Sequence, residues 1–264
     1  MPASTKRKSK DRSPADVVGS VAHGLSVLRA FDREHSQMTL TEVAERVDMT
    51  RAGARRYLLT LVHLGYVEQD GRKFRLTARV LELGYAFMST MGLAEIAQPY
   101  LDGVAREAGE TTAIAILDDF EVVHLARATV HRELAPVITI GRRFNALYNS
   151  TGRVLVAFMD EEAMESFVRD CQLTKPTAWS ITSRARLLQE LRQVRKQGYA
   201  IVDQESEPGL RSVAVPIFNK RGAVIAALNI LTNVAAVSLE DLEHKMLPVL
   251  QRAALKIASA VVSE

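Results

Sequence analysis

The sequence predicts an α+β protein in two parts: a small winged helix-turn-helix and a larger module of helices packed on a mainly antiparallel sheet. Three observations carry this. Residues 18–77 hold three helix-period stretches followed by a hairpin pattern. Residues 92–264 alternate helix-period and strand-period segments. The charge divides at nearly the same place: residues 1–79 carry 15 Lys and Arg against 9 Asp and Glu, the remainder 19 against 22. A basic amino-terminal third joined to an acidic remainder describes a polyanion-binding module attached to something else.

Residues 1–17, MPASTKRKSKDRSPADV, are basic, with no apolar segment following. They are expected to form a flexible tail, either solvated or a phosphate-contacting arm, and not a secretory signal. From Ser20, a potential cap, Val21, Leu25, Leu28 and Phe31 fall on one face of a first helix. The second helix, TLTEVAER, has Thr39 or Thr41 as its cap and Leu40, Val43, Ala44 and Val47 as its stripe. Asp48-Met49 makes a tight turn. Thr50 then caps a third helix, RAGARRYLLTL, which closes on Leu58, Leu61, Val62 and Gly65. In GYVEQDGRKFRLT, residues 65–77, apolar-polar alternation breaks at Asp70-Gly71, a hairpin signal whose tip carries Arg72, Lys73 and Arg75.

Two short helices joined by a tight turn, then a basic hairpin, have the spacing of a winged helix-turn-helix. That motif explains an otherwise odd helix start. The second helix of the pair faces the major groove, so small residues at 52–54 permit close approach, and Arg51 and Arg55 lie one turn apart to reach guanine edges or phosphates. The helix amino terminus adds attraction for phosphate. The expected DNA-facing set is Thr41, Thr50, Arg51, Ala52, Arg55 and Arg56 on the helices, with Arg72 and Lys73 on the wing. The competing reading is an arginine-rich helix with solvated charges.

Residues 78–91, ARVLELGYAFMSTM, read as a linker helix with two apolar rows: Leu81, Tyr85 and Met88, and Val80, Phe87 and Met91. One surface helix needs one stripe, so the second row points to a partner subunit or to burial within its own. Beyond Gly92, TTAIAIL and EVVHLAR flank the turn Asp118-Asp119-Phe120. PVITIG, YAIVDQ, SVAVPIF and AVIAALNIL read as further strands, the last two joined by Asn219-Lys220-Arg221-Gly222. Helices are expected at 93–108, 151–159, 161–170, 184–197 and 238–261. Hairpins make such a sheet largely antiparallel. Ser150-Thr151-Gly152 opens one helix, either as an ordinary cap or as a holder for a carboxylate. Arg142 and Arg143 are candidate carboxylate partners, or else solvated or interfacial.

The segments SVAHGLSVLRAF and LTEVAERVDMTRAGARRYLLTLVHLGYVEQDGRKFRLT resemble the amino-terminal domain of IclR-type bacterial transcriptional regulators. GYAIVDQESEPGLRSVAVPIFN, residues 198–219, is similar to that family's signature: Gly198, Glu205, Ser212, Val213, Ala214, Ile217, Phe218 and Asn219 fit. Val202 departs, standing where many members carry Asp or Ser. With TRAGARRYLLTL and GLRSVAVP, it makes the chain look most like the branch controlling protocatechuate and β-ketoadipate catabolism. The resemblance runs from about Val18 to the end. It implies pairing of linker helix and winged domain across a homodimer or dimer of dimers, and a GAF-like effector-binding domain over 92–264. It also implies an effector pocket at Ser150, Thr151 and Gly152, with Ser212 and Asn229. At Val202 the usual polar contact is missing, so either Asp203 compensates or the pocket is more apolar there, as an aromatic ligand prefers.

Other classes have less support. The single Cys171 forms no internal disulfide and no metal cluster, which fits a reducing cytosol. No apolar run is long enough to span a bilayer. His124 and His131 lack a companion motif, HExxH spacing is missing, and no nucleophile elbow, Walker loop or dinucleotide fingerprint follows a strand. Asp118-Asp119 sits at a turn, where solvation explains it. No catalytic residue, metal or cofactor is therefore expected. The expectation is a cytoplasmic, nucleoid-associated regulator binding double-stranded operator DNA and a small aromatic or dicarboxylic acid, with no membrane contact. The alternatives are a ligand-independent architectural DNA-binding protein or, less favoured, an enzyme acting on a small acid.

Overall fold

The computed structural model describes residues 17–84, 92–130 and 140–261. The chain divides into two compact units, Met1–Ser89 and Thr90–Glu264.

The first unit runs α1 (Gly19–Arg29), β1 (Met38–Thr39), α2 (Leu40–Arg46), α3 (Arg51–His63), β2 (Val67–Asp70) and β3 (Lys73–Leu76). Its three strands lie in the order β1-β3-β2, all antiparallel. Thr39 caps α2 in a reciprocal box: its hydroxyl accepts from the Glu42 N–H while the Glu42 carboxylate accepts from the Thr39 N–H at 2.7 Å. Asp48 takes a left-handed φ of 50° at the turn before α3, a conformation that Asp tolerates better than most residues. Gly71, at the wing tip, has φ 56°. Val27, Met38, Val43, Leu58, Leu61, Val67 and Phe74 close one core.

Two expectations need correcting here. Ser20 is not the cap of α1: Val18 holds that position with no side-chain bond, and the helix begins at Gly19. The buried face of α1 is centred on Val27, while Val21 and Leu25 are 59% and 50% exposed. Strand β1 was not foreseen, because two residues are too short for a period-two signal. Beyond β3, a 3₁₀ turn (Ala78–Val80) leads into helical residues 81–84. Leu81 is exposed there. The remaining members of the two apolar rows, Tyr85, Phe87, Met88 and Met91, lie outside the described residues, as does most of PVITIG.

The second unit runs α4 (Leu93–Ala108), β4 (Thr111–Asp118), β5 (Glu121–Ala128), β6 (Arg143–Asn145), a 3₁₀ turn (Ala146–Tyr148), α5 (Ser150–Ala157), α6 (Glu161–Asp170), α7 (Arg184–Gln197), β7 (Ala200–Asp203), β8 (Leu210–Phe218) and β9 (Val224–Asn233). It ends in one helical run formed by Leu239–Asp241, a π segment (Leu242–Met246) and α8 (Leu247–Ala260). All six strands pair antiparallel in the order β6-β5-β4-β9-β8-β7. Strand alternation gives the sheet two apolar faces. One carries Ala115, Ala200, Ala214 and Ala227, which form a core with Val154, Met164, Leu187 and Leu191 from α5, α6 and α7. The opposite parity carries Ile114, Leu228 and Ile230, fully buried. The alanines let α5 sit close on the sheet, and where α5 begins that face is left partly uncovered.

Candidate nucleic-acid interface and ligand cavity

At the start of α3, Thr50 caps by accepting from the Gly53 N–H at 3.1 Å. Arg51, Ala52, Arg55 and Arg56 are exposed. At 100° per residue, Ala54, Leu58 and Leu61 turn inward, and all three are buried. Ala54 is therefore a core residue, not a clearance for DNA. A side chain at Gly53 would crowd the Thr50 hydroxyl at 3.2 Å, so that glycine protects the cap. Of the small residues, Ala52 alone remains on the solvent face. Thr41 is half-buried in the first turn of α2. On the wing, Arg72 and Lys73 are exposed at the tip, while Arg75 is held in an ion pair with Glu68. Arg51, Arg55, Arg56 and Arg72 have no ion-pair partner among the described residues. Unneutralised guanidinium groups at a capped helix start and a wing tip give this unit a basic surface, the kind that attracts polyanions.

The second unit holds a cavity of about 540 Å³ on the alanine-paved face. Its sheet wall is His124 from β5, Phe144 from β6, Ser212 from β8 and Asn229 and Leu231 from β9; Asn149 and the loop at 206–209 close its sides. Arg142 stands at the rim with its guanidinium 4.9 Å from the Phe144 ring centroid, a cation–π stack that fixes its direction. Neighbouring Arg143 is consumed by Asp118 at 2.8 Å and Glu121 at 2.6 Å. The two arginines are thus separated by role, leaving Arg142 as the cation of the cavity. Asn229 Oδ1 accepts from the Ala113 N–H at 3.1 Å, which orients its amide so that Nδ2 is the spare donor. Glu207 is the cavity's acidic residue, exposed in the 206–209 loop, so an anionic ligand's charge belongs toward Arg142.

Of the residues named from the sequence, Arg142, Ser212 and Asn229 line this cavity. Ser150, Thr151 and Gly152 do not. Thr151 turns its hydroxyl back to Asn149 Oδ1 at 2.7 Å, and the same oxygen accepts the Thr151 N–H at 3.1 Å. The cap, Asn149, is the residue that reaches the cavity. Gly152 serves packing: a Cβ there would overlap the Ala146 backbone. Ser150 is fully buried beside them, with its hydroxyl unpartnered. Asp203 is also elsewhere. Its carboxylate grips Arg211 at 2.8 and 3.0 Å, its cross-strand partner. Val202 pairs with Ser212, so Asp203 faces away from Ser212 and does not replace a missing polar contact.

Sequence reasoning missed two features of the site. One is His124, 3% exposed, whose inward position on β5 was signalled by its parity with Val122. The other is Arg153, buried in α5, which donates to the Leu147 carbonyl at 2.9 Å and to Glu205 at 2.6 Å. Among the described residues no group of three His, Cys, Asp or Glu is placed to hold a metal ion, and no helix is long and apolar enough to cross a membrane.

A winged DNA-binding unit followed by a ligand-cavity unit defines the one-component regulator class. Residues 20–71 match the profile described as "IclR helix-turn-helix domain", and residues 85–259 match "Bacterial transcriptional regulator IclR C-terminal". The chain belongs to the IclR family of transcriptional regulators. It is 39% identical over 236 residues to the Pca regulon regulatory protein of Pseudomonas putida, covering 89% of this chain and 81% of that one. It matches the crystal structure of a putative transcriptional regulator, RHA06195, from Rhodococcus sp. RHA1 with a TM-score of 0.84 and 42% identity, covering 93% and 98% of the two chains. The inducer-binding domain of an Acinetobacter PobR double mutant, in complex with 3-hydroxybenzoic acid, matches with a TM-score of 0.60 and 30% identity, covering 62% of this chain and 97% of that domain.

Proposed function

We propose that this regulator binds operator DNA as at least a dimer through α3 and the wing, and that a small aromatic or dicarboxylic acid occupies the cavity. The observation that carries the ligand reading is Arg142, stacked on Phe144 and without an ion-pair partner among the described residues, at the rim of a cavity with the Asn149 and Asn229 amides. A planar cation beside amide donors suits a carboxylate, and Phe144 with Leu231 suits the body of an aromatic acid. The PobR inducer domain bound to 3-hydroxybenzoic acid supports the same class. In this reading residues 18–77 are the DNA-binding domain, 92–264 the effector domain, and 78–91 the linker helix through which cavity occupancy alters the paired winged domains. The protein works in the cytoplasm and performs no catalysis.

A thermal-shift screen of aromatic and dicarboxylic acids tests this. Specific acids should raise the melting temperature of the wild type, and Arg142→Met or Ser212→Leu should abolish that shift while leaving DNA binding without ligand intact. Full retention of ligand affinity in both variants would remove this cavity as the effector site.

A further inference from the structure

His124 has no role in the fold that its chemistry explains. It is 3% exposed and lines the cavity, yet neither ring nitrogen has a hydrogen-bond partner. Its contact with Phe144, edge-on at 5.5 Å between centroids, uses the ring and not the nitrogens. Buried polar groups are ordinarily satisfied, and an orphan at a ligand cavity points to a ligand atom.

The sheet register says where that atom lies. His124 pairs with Ala115 and Ala113 pairs with Asn229, so two alanines pave the strand between His124 and Asn229. Strands β5 and β9 are two spacings apart, roughly 10 Å. His124 and Asn229 both line the cavity, and that separation suits one planar ring with polar groups at opposite ends. On the β6 side, Val123 pairs with Arg143 and the Gly141 N–H donates to the His124 carbonyl at 3.0 Å, which brings the 141–144 segment alongside His124. The Phe144 ring packs edge-on against the imidazole, and Arg142 stacks on that same ring. Burial favours the neutral ring. A neutral imidazole offers one N–H and one acceptor nitrogen. A carboxylate has no proton for that acceptor, whereas a hydroxyl donates to it.

We propose that His124 is the specificity-determining residue of the cavity, hydrogen-bonding a hydroxyl on the effector so that hydroxylated aromatic acids are selected over their unsubstituted counterparts. This rests on the acid-binding reading above, with the carboxylate assigned to Arg142 and the amides.

The test is calorimetric titration of the full-length protein with 4-hydroxybenzoate, 3-hydroxybenzoate, benzoate and adipate. The wild type should prefer at least one hydroxybenzoate over benzoate by tenfold or more. In His124→Phe, benzoate affinity should stay within about threefold of wild type while the hydroxyl preference collapses toward unity. His124→Gln, which keeps a donor and an acceptor, should retain several-fold preference. If the Phe variant does not fold, His124→Leu decides by the same ratio. A preference unchanged in the Phe or Leu variant overturns the assignment to His124 and leaves the acid-binding reading standing. Binding of adipate alone also leaves that reading and removes this one. No saturable heat with any of the four acids overturns both.

Discussion

Arg153 and Glu205 form a buried ion pair, Nη2 to Oε2 at 2.6 Å, with side chains 2% and 9% exposed. It joins α5 to the segment that follows β7. The Glu205 carboxylate also accepts from the Ile181 N–H at 3.2 Å, and its backbone carbonyl from the Ser180 hydroxyl at 2.7 Å. The next residues, 206–209, are one side of the cavity. A charge pair satisfied from several sides therefore holds the cavity rim in register with the helix start.

Glu205→Gln should destabilise the second unit by about 3–5 kcal/mol, because it leaves Arg153 buried without its counter-charge. Urea denaturation measures this. Arg153→Met combined with Glu205→Gln should recover part of the loss in a double-mutant cycle. Strictly additive losses would show that the two residues stabilise the fold independently.

Gly152→Ala should cost about 1–3 kcal/mol, since its methyl would overlap the Ala146 backbone, which has no flexible end to yield. The same denaturation experiment checks it. A neutral outcome would mean that the 3₁₀ turn at 146–148 shifts freely.

His124 carries an acid-sensitivity. Burial pushes its imidazole down to about 4, below the unfolded value of about 6.5. Between these limits the unfolded chain binds the extra proton, so stability falls as pH drops from 6.5 toward 4. The contribution is on the order of 3 kcal/mol when fully expressed. His124→Phe should therefore lose less stability than wild type between pH 7 and pH 5 in urea titrations. Equal losses would contradict a buried neutral ring.

Arg51→Ala or Arg55→Ala should cost about 1–3 kcal/mol of operator affinity if the residue reads a base, with relaxed preference at one position of the site. Loss spread evenly over all sequences would make it a phosphate contact. Arg72→Ala and Lys73→Ala should each reduce the salt dependence by roughly one unit of slope. An unchanged slope removes the wing from the interface.

The sequence carried the larger elements because they rest on long periods and strong punctuation. Asp70-Gly71 marked the wing, Thr50 marked the start of α3, and Gly198 closes α7 in the left-handed region at φ 83°. Short strands escaped: β1 and β6 have two and three residues, too few for alternation to register. The cavity was half legible. Ser212 and Asn229, named through family resemblance, both line it. At the helix start the cavity is lined by the cap, Asn149, and not by Ser150, Thr151 or Gly152, a distinction of one residue that a cap signal in sequence does not make. His124 was set aside for want of a companion motif, because a lone histidine in a strand usually reports nothing and only the sheet register shows what stands beside it. Arg153 was hidden for a similar reason, since its partner lies 52 residues away.

The most direct test of the regulator reading is operator affinity measured by fluorescence anisotropy, with and without a saturating acid from the thermal-shift screen, on a duplex obtained by in vitro selection. A change of about 5–150-fold, corresponding to a coupling of about 1–3 kcal/mol, is expected for the wild type. Ser212→Leu should bind the same duplex but lose the ligand's effect. An acid that binds the cavity saturably yet changes neither operator affinity nor transcription from that operator would contradict the switch.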